Sequence, residues 1–545
     1  MIYKYGIDFG TTNSSIAMRF VGDDRAEHTL VVDVRDTLPR ETIPSVILVD
    51  ETGKITAGED AMTQYTQGGV GRSNQIFIKR IKLDLETKGS HLTYKVGKRT
   101  VDGVDLIAAI LKALRLKAEK AAEELEIDMS GVVMGVPVQY GDIQKNVLKK
   151  ALVKAGFYKN ETEADRKTEF VSEPIAVAVH YGLNLEHDTT VMVFDFGGGT
   201  LDLAVVNLKK QVKSDRLHPH ETIAKERLTL GGEELNRLFF INSFCSSKKY
   251  GTKRIGMEFG FGSNLSPQKL WEKLSQCEEG IKFISALEKC KCELSRSQKS
   301  KFSYIGRNIQ LDTKTFYRDD FSEAIADKLD EIDDLIEDCL DSGNITDPFD
   351  IDHVILAGGS SMIPAVQNLL IDKFGNTHVS SKLTENDSVI KAMKRNRATE
   401  SEVLTSIVRG LAMVGCKDES QIDDIVDCDY GVWDNDKNRF VPIVMKGTPV
   451  KDTKLDKLTQ NGIAKQFRCD DYDVSSVEVQ VYQQTKNGKN RLGTINIPNP
   501  GGKKYKIYMQ VDRKNGMLEV TFYDVVQGRW IDEIPLNERQ YTIKG

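Results

Sequence analysis

Asp8 and Asp195 occupy two copies of one short pattern, Ile7-Asp8-Phe9-Gly10-Thr11-Thr12 and Phe194-Asp195-Phe196-Gly197-Gly198-Gly199-Thr200. Each copy runs from an apolar stretch through an Asp into a bend of small and hydroxylic residues, and then into a second apolar stretch. That order predicts a β-hairpin whose tip faces a ligand. Glycines at the tip let backbone N–H groups approach an anion, and the threonine hydroxyls add donors at the same height. A carboxylate beside a bound polyphosphate calls for a hard cation such as Mg²⁺ between them. Either hairpin alone reads as an ordinary turn. Two of them, with a third glycine-rich turn at Gly358-Gly359-Ser360, predict a nucleotide gripped from both sides.

The elements that must position these tips follow from periodicity. Strands are expected at 5–9, 15–20, 30–34 and 45–49, then a long amphipathic helix from Val104 to Leu125 with Ile107, Leu111, Leu114 and Ala118 on one face. The run Gly131 to Pro137 reads as a buried strand, followed by a helix from Ile143 to Ala155. Ser172-Glu173-Pro174 opens another helix, with Ser172 as the expected N-cap. Strand and helix alternate again after the second hairpin, and His353 to Ala357 is the last buried strand of this part. Two similar α/β halves around a cleft are the economical arrangement. From 416 to 429 the chain is acidic with a few apolar positions, Ile422, Ile425 and Val426, and reads as a linker able to dock. Beyond it, period-two segments between turns predict an all-β sandwich. The expected division is 1–415, 416–429 and 430–545.

With 545 residues the chain is too long for one core. A net charge of −6 removes any global basic field for nucleic acid or anionic membrane, and no apolar run suffices to span a bilayer. The eight cysteines include no paired C-x-x-C unit, so neither a zinc site nor a disulfide framework is expected. With a start that lacks a leader pattern, this points to the cytoplasm. Asp-Phe-Gly occurs twice without a His-Arg-Asp loop, and no G-x-x-x-x-G-K-[ST] is present, which removes protein kinases and P-loop enzymes.

In order and spacing the chain resembles the actin-like (ribonuclease H-like) ATPases, and specifically the Hsp70 chaperones. The resemblance is carried by Gly6-Ile-Asp-Phe-Gly-Thr-Thr-Asn-Ser14, Ile78-Lys79-Arg80, Gly135-Val-Pro137, Ser172-Glu173-Pro174, Phe194 to Asp202, Leu230-Gly231-Gly-Glu-Glu234 and Ile355 to Ser360. It extends into the sandwich through Met445 to Pro449, Ser476 to Tyr482 and Val511 to Val520. It implies a two-lobed α/β ATPase domain followed by the sandwich, with ATP or ADP, Mg²⁺ and potassium as cofactors. Asp8 and Asp195 would hold Mg²⁺ through its waters. Gly10, Thr11, Thr12, Gly197, Gly198, Gly199 and Gly231 would line the phosphates, and Lys79, Glu173 and Thr200 would complete the catalytic set. Adenine recognition falls on Glu288, Lys291 and Ser295, which share a helix face, with Gly358, Gly359 and Ser360 closing over base and ribose. Pro137 and Lys145, with Ile425 and Val426 of the linker, would couple the domains. Phe467, Val477, Val479 and Val481 are the candidates for a peptide groove.

The resemblance implies an ATP-hydrolysing chaperone that grips unfolded or extended peptides, served by a J-domain cochaperone and a nucleotide exchange factor. Several positions depart from the family. Met362 and Cys292 stand where basic residues near adenine are expected, and Lys145 stands where an Arg is expected. Glu169 reverses a charge used by J-domain partners, residues 158–168 read as an insertion, and no helical lid follows the sandwich, so peptide exchange is expected to be fast. A nucleotide-switched scaffold with one dedicated partner, or a small-molecule kinase of the same superfamily, are the competing expectations.

Overall fold

The computed structural model describes residues 3–21, 27–35, 41–67, 75–181, 187–210, 220–247, 251–306, 310–375, 379, 398–414, 422–435, 437–468, 476–485, 488–498 and 504–531. The first part of the expected linker, 416–421, lies outside them.

Two sheets repeat one plan. In the first, strand Tyr3–Phe9 is the centre: it pairs antiparallel with Asn13–Val21, which pairs with Glu27–Val31, and parallel on its other side with Met129–Val136, which pairs with Thr168–Ser172. In the second, Thr189–Phe196 pairs antiparallel with Leu201–Leu208, which pairs with His220–Leu228, and parallel with His353–Ala357. Central strands buried on both faces read as near-continuous apolar runs. Ile7, Phe9, Phe194 and Phe196 are accordingly shut into the two lobe cores. A third cluster between the lobes joins the helix Glu173–Tyr181 to the helix Ala398–Val414 through Ile175, Val177, Ile407 and Leu411.

The long helix spans Gly103–Glu124 and is capped by the Asp102 carboxylate, which accepts the Val104 N–H at 2.9 Å. The helix Asp142–Ala155 ends at Gly156, whose φ of 91° is the left-handed closure that glycine tolerates. Residues Glu161–Lys167 form a short helix capped by Asn160. Ser172 differs from expectation: its hydroxyl is buried and makes no hydrogen bond, so it does not cap the helix that begins at Glu173.

The C-terminal part is a sandwich of two four-stranded antiparallel sheets. One runs in the order Arg439–Val444, Asp429–Asp434, Ser476–Thr485, Gly488–Pro498, and the other Ala464–Arg468, Lys504–Val511, Leu518–Asp524, Arg529–Ile531. Val432, Val481, Leu492, Ile507, Val520 and Phe522 fill the space between them. The α/β class with a following sandwich is therefore as expected.

The handover between the two parts is sharper than the expected linker. Ile422–Asp423 adds a parallel strand to His220 and Glu221 at the edge of the second lobe sheet, whereas Val426 already packs in the sandwich core and Ile425 bridges to Pro449. The sandwich rests on the first lobe through buried polar contacts. Asp142 accepts the Leu518 N–H at 2.9 Å and the Tyr430 hydroxyl at 3.3 Å, and Lys145 donates to the Gly516 carbonyl at 2.9 Å. Among the described residues no helix is long and apolar enough to cross a membrane.

Candidate functional site

The two glycine-rich tips meet. A Cβ added at Gly199 would lie 2.6 Å from the Thr11 hydroxyl, and one at Gly198 would overlap the Thr12 side chain. Only residues without side chains let the tips approach so closely. Behind the second tip, Gly232 and Glu233 donate backbone N–H groups to the carbonyls of Gly197 and Gly198 at 3.1 and 2.9 Å. The Ser360 hydroxyl donates to the Gly197 carbonyl at 2.8 Å. A Cβ at Gly231 would overlap the backbone of Gly198 and Gly199, so this glycine is fixed by close approach. Gly358, at φ 73°, brings its turn against Asp195. Thus Thr11, Thr12, Gly197, Gly198, Gly199, Gly231 and the 358–360 turn meet in one place, while Gly10 faces Asn13 of its own turn.

Carboxylates crowd the floor beneath the tips. Asp8 is the last residue but one of the first central strand and Asp195 of the second, and Asp202 lies directly across the hairpin from Asp195. Facing like charges are unfavourable in a sheet unless something neutralises them. Burial first, then Glu173, pushes Asp8 up to about 7 against the pull of Lys82. Burial, then Glu173, Asp202 and Asp8, holds Asp195 well above the ordinary carboxylate range. Asp202 is pushed up to about 6 by burial against the pull of Arg227, while accepting the Thr200 hydroxyl at 2.7 Å and the Val138 N–H at 2.9 Å. The hydroxyls of Ser15, across the strand from Asp8, and Ser172 are buried without partners. Crowded carboxylates and orphaned hydroxyls suit a cation with a water shell. Among the described residues no group of three or more His, Cys, Asp or Glu is arranged to ligate an ion directly.

Lys79 faces other carboxylates than those of the floor. It is half-buried, makes no hydrogen bond or ion pair among the described residues, and feels Glu233 and Glu288 rather than Glu173. Burial lowers its pKa, and those two carboxylates oppose the shift. The cation against Glu173 is Lys82, whose Nζ lies 2.5 Å from Glu173 Oε1 with both side chains buried. Sequence reasoning passed over Lys82 because nothing in the pattern Ile81-Lys82-Leu83 distinguishes a buried lysine from a surface one. It also left Asp202 without a role, although its place opposite Asp195 in a hairpin was a usable signal.

On the opposite wall, Glu288 and Lys291 lie 3.1 Å apart on the helix Glu278–Arg296, with Ser295 half-buried one turn on. Lys291 donates to the Gly232 carbonyl at 3.0 Å, and Asn236 donates to Glu288. Burial acts to raise the Glu288 carboxyl, but Lys291 and Asn236 outweigh it and leave it below the ordinary range.

The Hsp70 protein family model matches residues 4–254 and 262–538 of the chain. The chain belongs to the Hsp70 family. One curated relative, the chaperone protein HscA homolog of Histophilus somni (strain 129Pt), is 26% identical over 393 residues, covering 69% of this chain and 54% of that protein. The chain therefore spans about half the length of that relative. Within the Hsp70 frame, Pro137 lies next to Val138, the donor to Asp202, and Lys145 reaches the sandwich. Glu169, the reversed charge, pairs with Lys4. Of the groove candidates, Val481 is shut into the sandwich core and faces no opening, because its strand turns that face toward the opposite sheet. Phe467 and Val479 are half-buried against the same core, and the side chain of Val477 lies outside the described residues.

Proposed function

We propose that this protein is an Hsp70-type chaperone that binds and hydrolyses ATP and couples its nucleotide state to the sandwich's hold on extended peptides. The observation that carries the reading is the pair of touching glycine tips above Asp8, Asp195 and Glu173. Backbone N–H groups of Gly10, Gly198 and Gly199, with the hydroxyls of Thr11 and Thr12, bind the phosphates, while the Gly197 N–H closes the turn on the Thr200 carbonyl at 2.9 Å. Asp8 and Asp195 would hold Mg²⁺ through water, and the ion would neutralise phosphate charge. Glu173 orients the attacking water, Thr200 hydrogen-bonds beside it, and Lys79 offers its free ammonium to the polyphosphate. Glu288, Lys291, Ser295, Gly359 and Ser360 receive adenine and ribose.

Coupling runs from Thr200 through Asp202 to the Val138 N–H, along the 137–141 segment to Asp142, and across to Leu518 and Tyr430. Peptide adds along the exposed edge strand Ala464–Arg468, beside Phe467 and Val479. Unfolded segments and an exchange factor are the partners of this reading, the reversed charge at Glu169 speaks against a J-domain cochaperone, and the cytoplasm is its site of action.

A nucleotide-switched scaffold is the second reading: Lys82 holds Glu173 by Oε1, which leaves Oε2 to meet a water and suits slow hydrolysis. Steady-state ATP hydrolysis with and without a set of unrelated apolar peptides separates the two. Stimulation by many of them is expected. Hydrolysis indifferent to all of them favours the scaffold, and no adenine-nucleotide binding in calorimetry ends both.

A further inference from the structure

Lys82 is the second residue of the helix Ile81–Lys88, and its backbone carbonyl accepts the Tyr140 hydroxyl at 3.2 Å. Its stem is buried and its ammonium sits 2.5 Å from Glu173 Oε1, at 7% and 5% side-chain exposure respectively. Besides Glu173, Asp8 and Asp202 act on it strongly enough to outweigh burial and hold its proton. The other cation on this floor, Arg227, is 3.5 Å from Asp202 and is otherwise engaged by Glu86 at 2.7 Å and the Val138 carbonyl at 3.2 Å. Asp8, Asp195, Asp202 and Glu173 are thus four buried carboxylates, and Lys82 is the cation bonded to Glu173. Burial of an ionised group is tolerated only when it is paired, and removing one partner leaves the other uncompensated.

We propose that Lys82 is a built-in monovalent cation of the cleft. Its ammonium fills the place beside Glu173 and Asp8 that a free ion such as potassium would otherwise take, and it positions Glu173 for the site above. The inference rests on the proposed nucleotide site for its functional meaning, but its physical content does not need nucleotide. An ammonium and a potassium ion carry the same charge at similar size. A tethered one cannot be diluted away, so the balance of charge in the cleft does not depend on the salt around it. Lys82 is a positioning residue, acting through Glu173.

The test is thermal unfolding of the nucleotide-free full chain in potassium chloride and in choline chloride at equal ionic strength. Wild type is expected to unfold at the same temperature in both. Lys82→Met is expected to unfold several degrees lower in choline chloride, on the order of 4 °C, and to recover at least half of that in potassium or methylammonium chloride. The double variant Lys82→Met/Glu173→Gln should lose most of this salt difference. A Lys82→Met protein equally destabilised in both salts has lost only packing and overturns the proposal, as does a wild type that itself needs potassium. Should Lys82→Met fail to fold, calorimetry on wild type decides. ATP affinity equal within about two-fold in the two salts is expected, and affinity about ten-fold tighter in potassium overturns the inference. A wild type that binds no adenine nucleotide in either salt defeats the proposed function alone, and the unfolding comparison of wild type in the two salts still judges Lys82.

Discussion

The carboxylate of Asp142, at the first turn of a helix in the first lobe, accepts the backbone N–H of Leu518 in the sandwich at 2.9 Å. Both groups are buried, and the same carboxylate takes the Tyr430 hydroxyl. Asp142→Ala leaves a buried N–H unsatisfied, which costs about 1–3 kcal/mol of docking. Small-angle scattering should then show a larger radius of gyration than for wild type. An unchanged envelope would mean that other contacts hold the two parts together.

Lys225 is almost fully buried and pairs with Asp424 at 2.9 Å and with Asp427 at 2.5 Å. Burial acts against its charge, but the two aspartates more than compensate and raise its pKa. Lys225→Met abandons both, and because the two aspartates are partly exposed the loss is expected to stay below about 3–5 kcal/mol, the cost of breaking a fully buried pair. The expected readout is faster amide hydrogen exchange at Ile422 to Asp427, with the lobe cores unchanged. Equal protection in wild type and variant would dismiss the ion triad as a clasp.

Gly231 and Gly359 look alike in sequence and differ in space. A methyl at Gly231 would overlap the backbone of Gly198 and Gly199, whereas among the described residues one at Gly359 would meet only Leu404 at 3.8 Å. Gly231→Ala is therefore expected to destabilise the fold by about 2 kcal/mol and Gly359→Ala by less than about 0.5 kcal/mol, as read from urea midpoints. Equal losses would contradict the close approach.

Nucleotide-free stability should carry the imprint of the carboxylates. Asp8 and Asp202 are raised in the folded state to about 7 and about 6 from 3.8. Between about pH 4 and 7 the folded chain holds protons that the unfolded chain has released, so this cluster lowers stability as pH rises. His180, held down at about 4 by burial and then by Arg409 and Arg19, acts in the opposite direction below 6.5. Subtracting wild type from Asp8→Asn isolates the first effect. The variant should be more stable by about 1–2 kcal/mol at pH 8, and the gain should vanish toward pH 4. A gain independent of pH would place the effect elsewhere.

Both lobe sheets were legible because Ile7 to Phe9 and Phe194 to Phe196 combine a buried run with a glycine tip, a local signal that survives without tertiary information. So was the meeting of the two tips, Thr11 and Thr12 against Gly198 and Gly199, expected of paired hairpins that face each other. Lys82 was not legible. Its burial is decided by Glu173, ninety-one positions away, and the helix Ile81–Lys88 has no apolar stripe from which a charged residue would stand out. Period two marked Val479 and Val481 as one face of a strand, but which face met the opposite sheet depended on a register set elsewhere in the sandwich. The point within 416–429 where the chain passes from lobe to sandwich was not legible for a similar reason, since Ile422 and Val426 are equally apolar and only their partners assign one to the lobe and the other to the sandwich.

The two-residue strand Ile422–Asp423 does more than tether. While it lies against His220 and Glu221 it occupies backbone donors and acceptors at the rim of the second lobe sheet. Parting of the two halves would lay that rim bare, and an unpaired rim can recruit a strand from another molecule. The protein thus guards against self-association with its own hinge, so conditions that pry the halves apart should also be those under which it clumps.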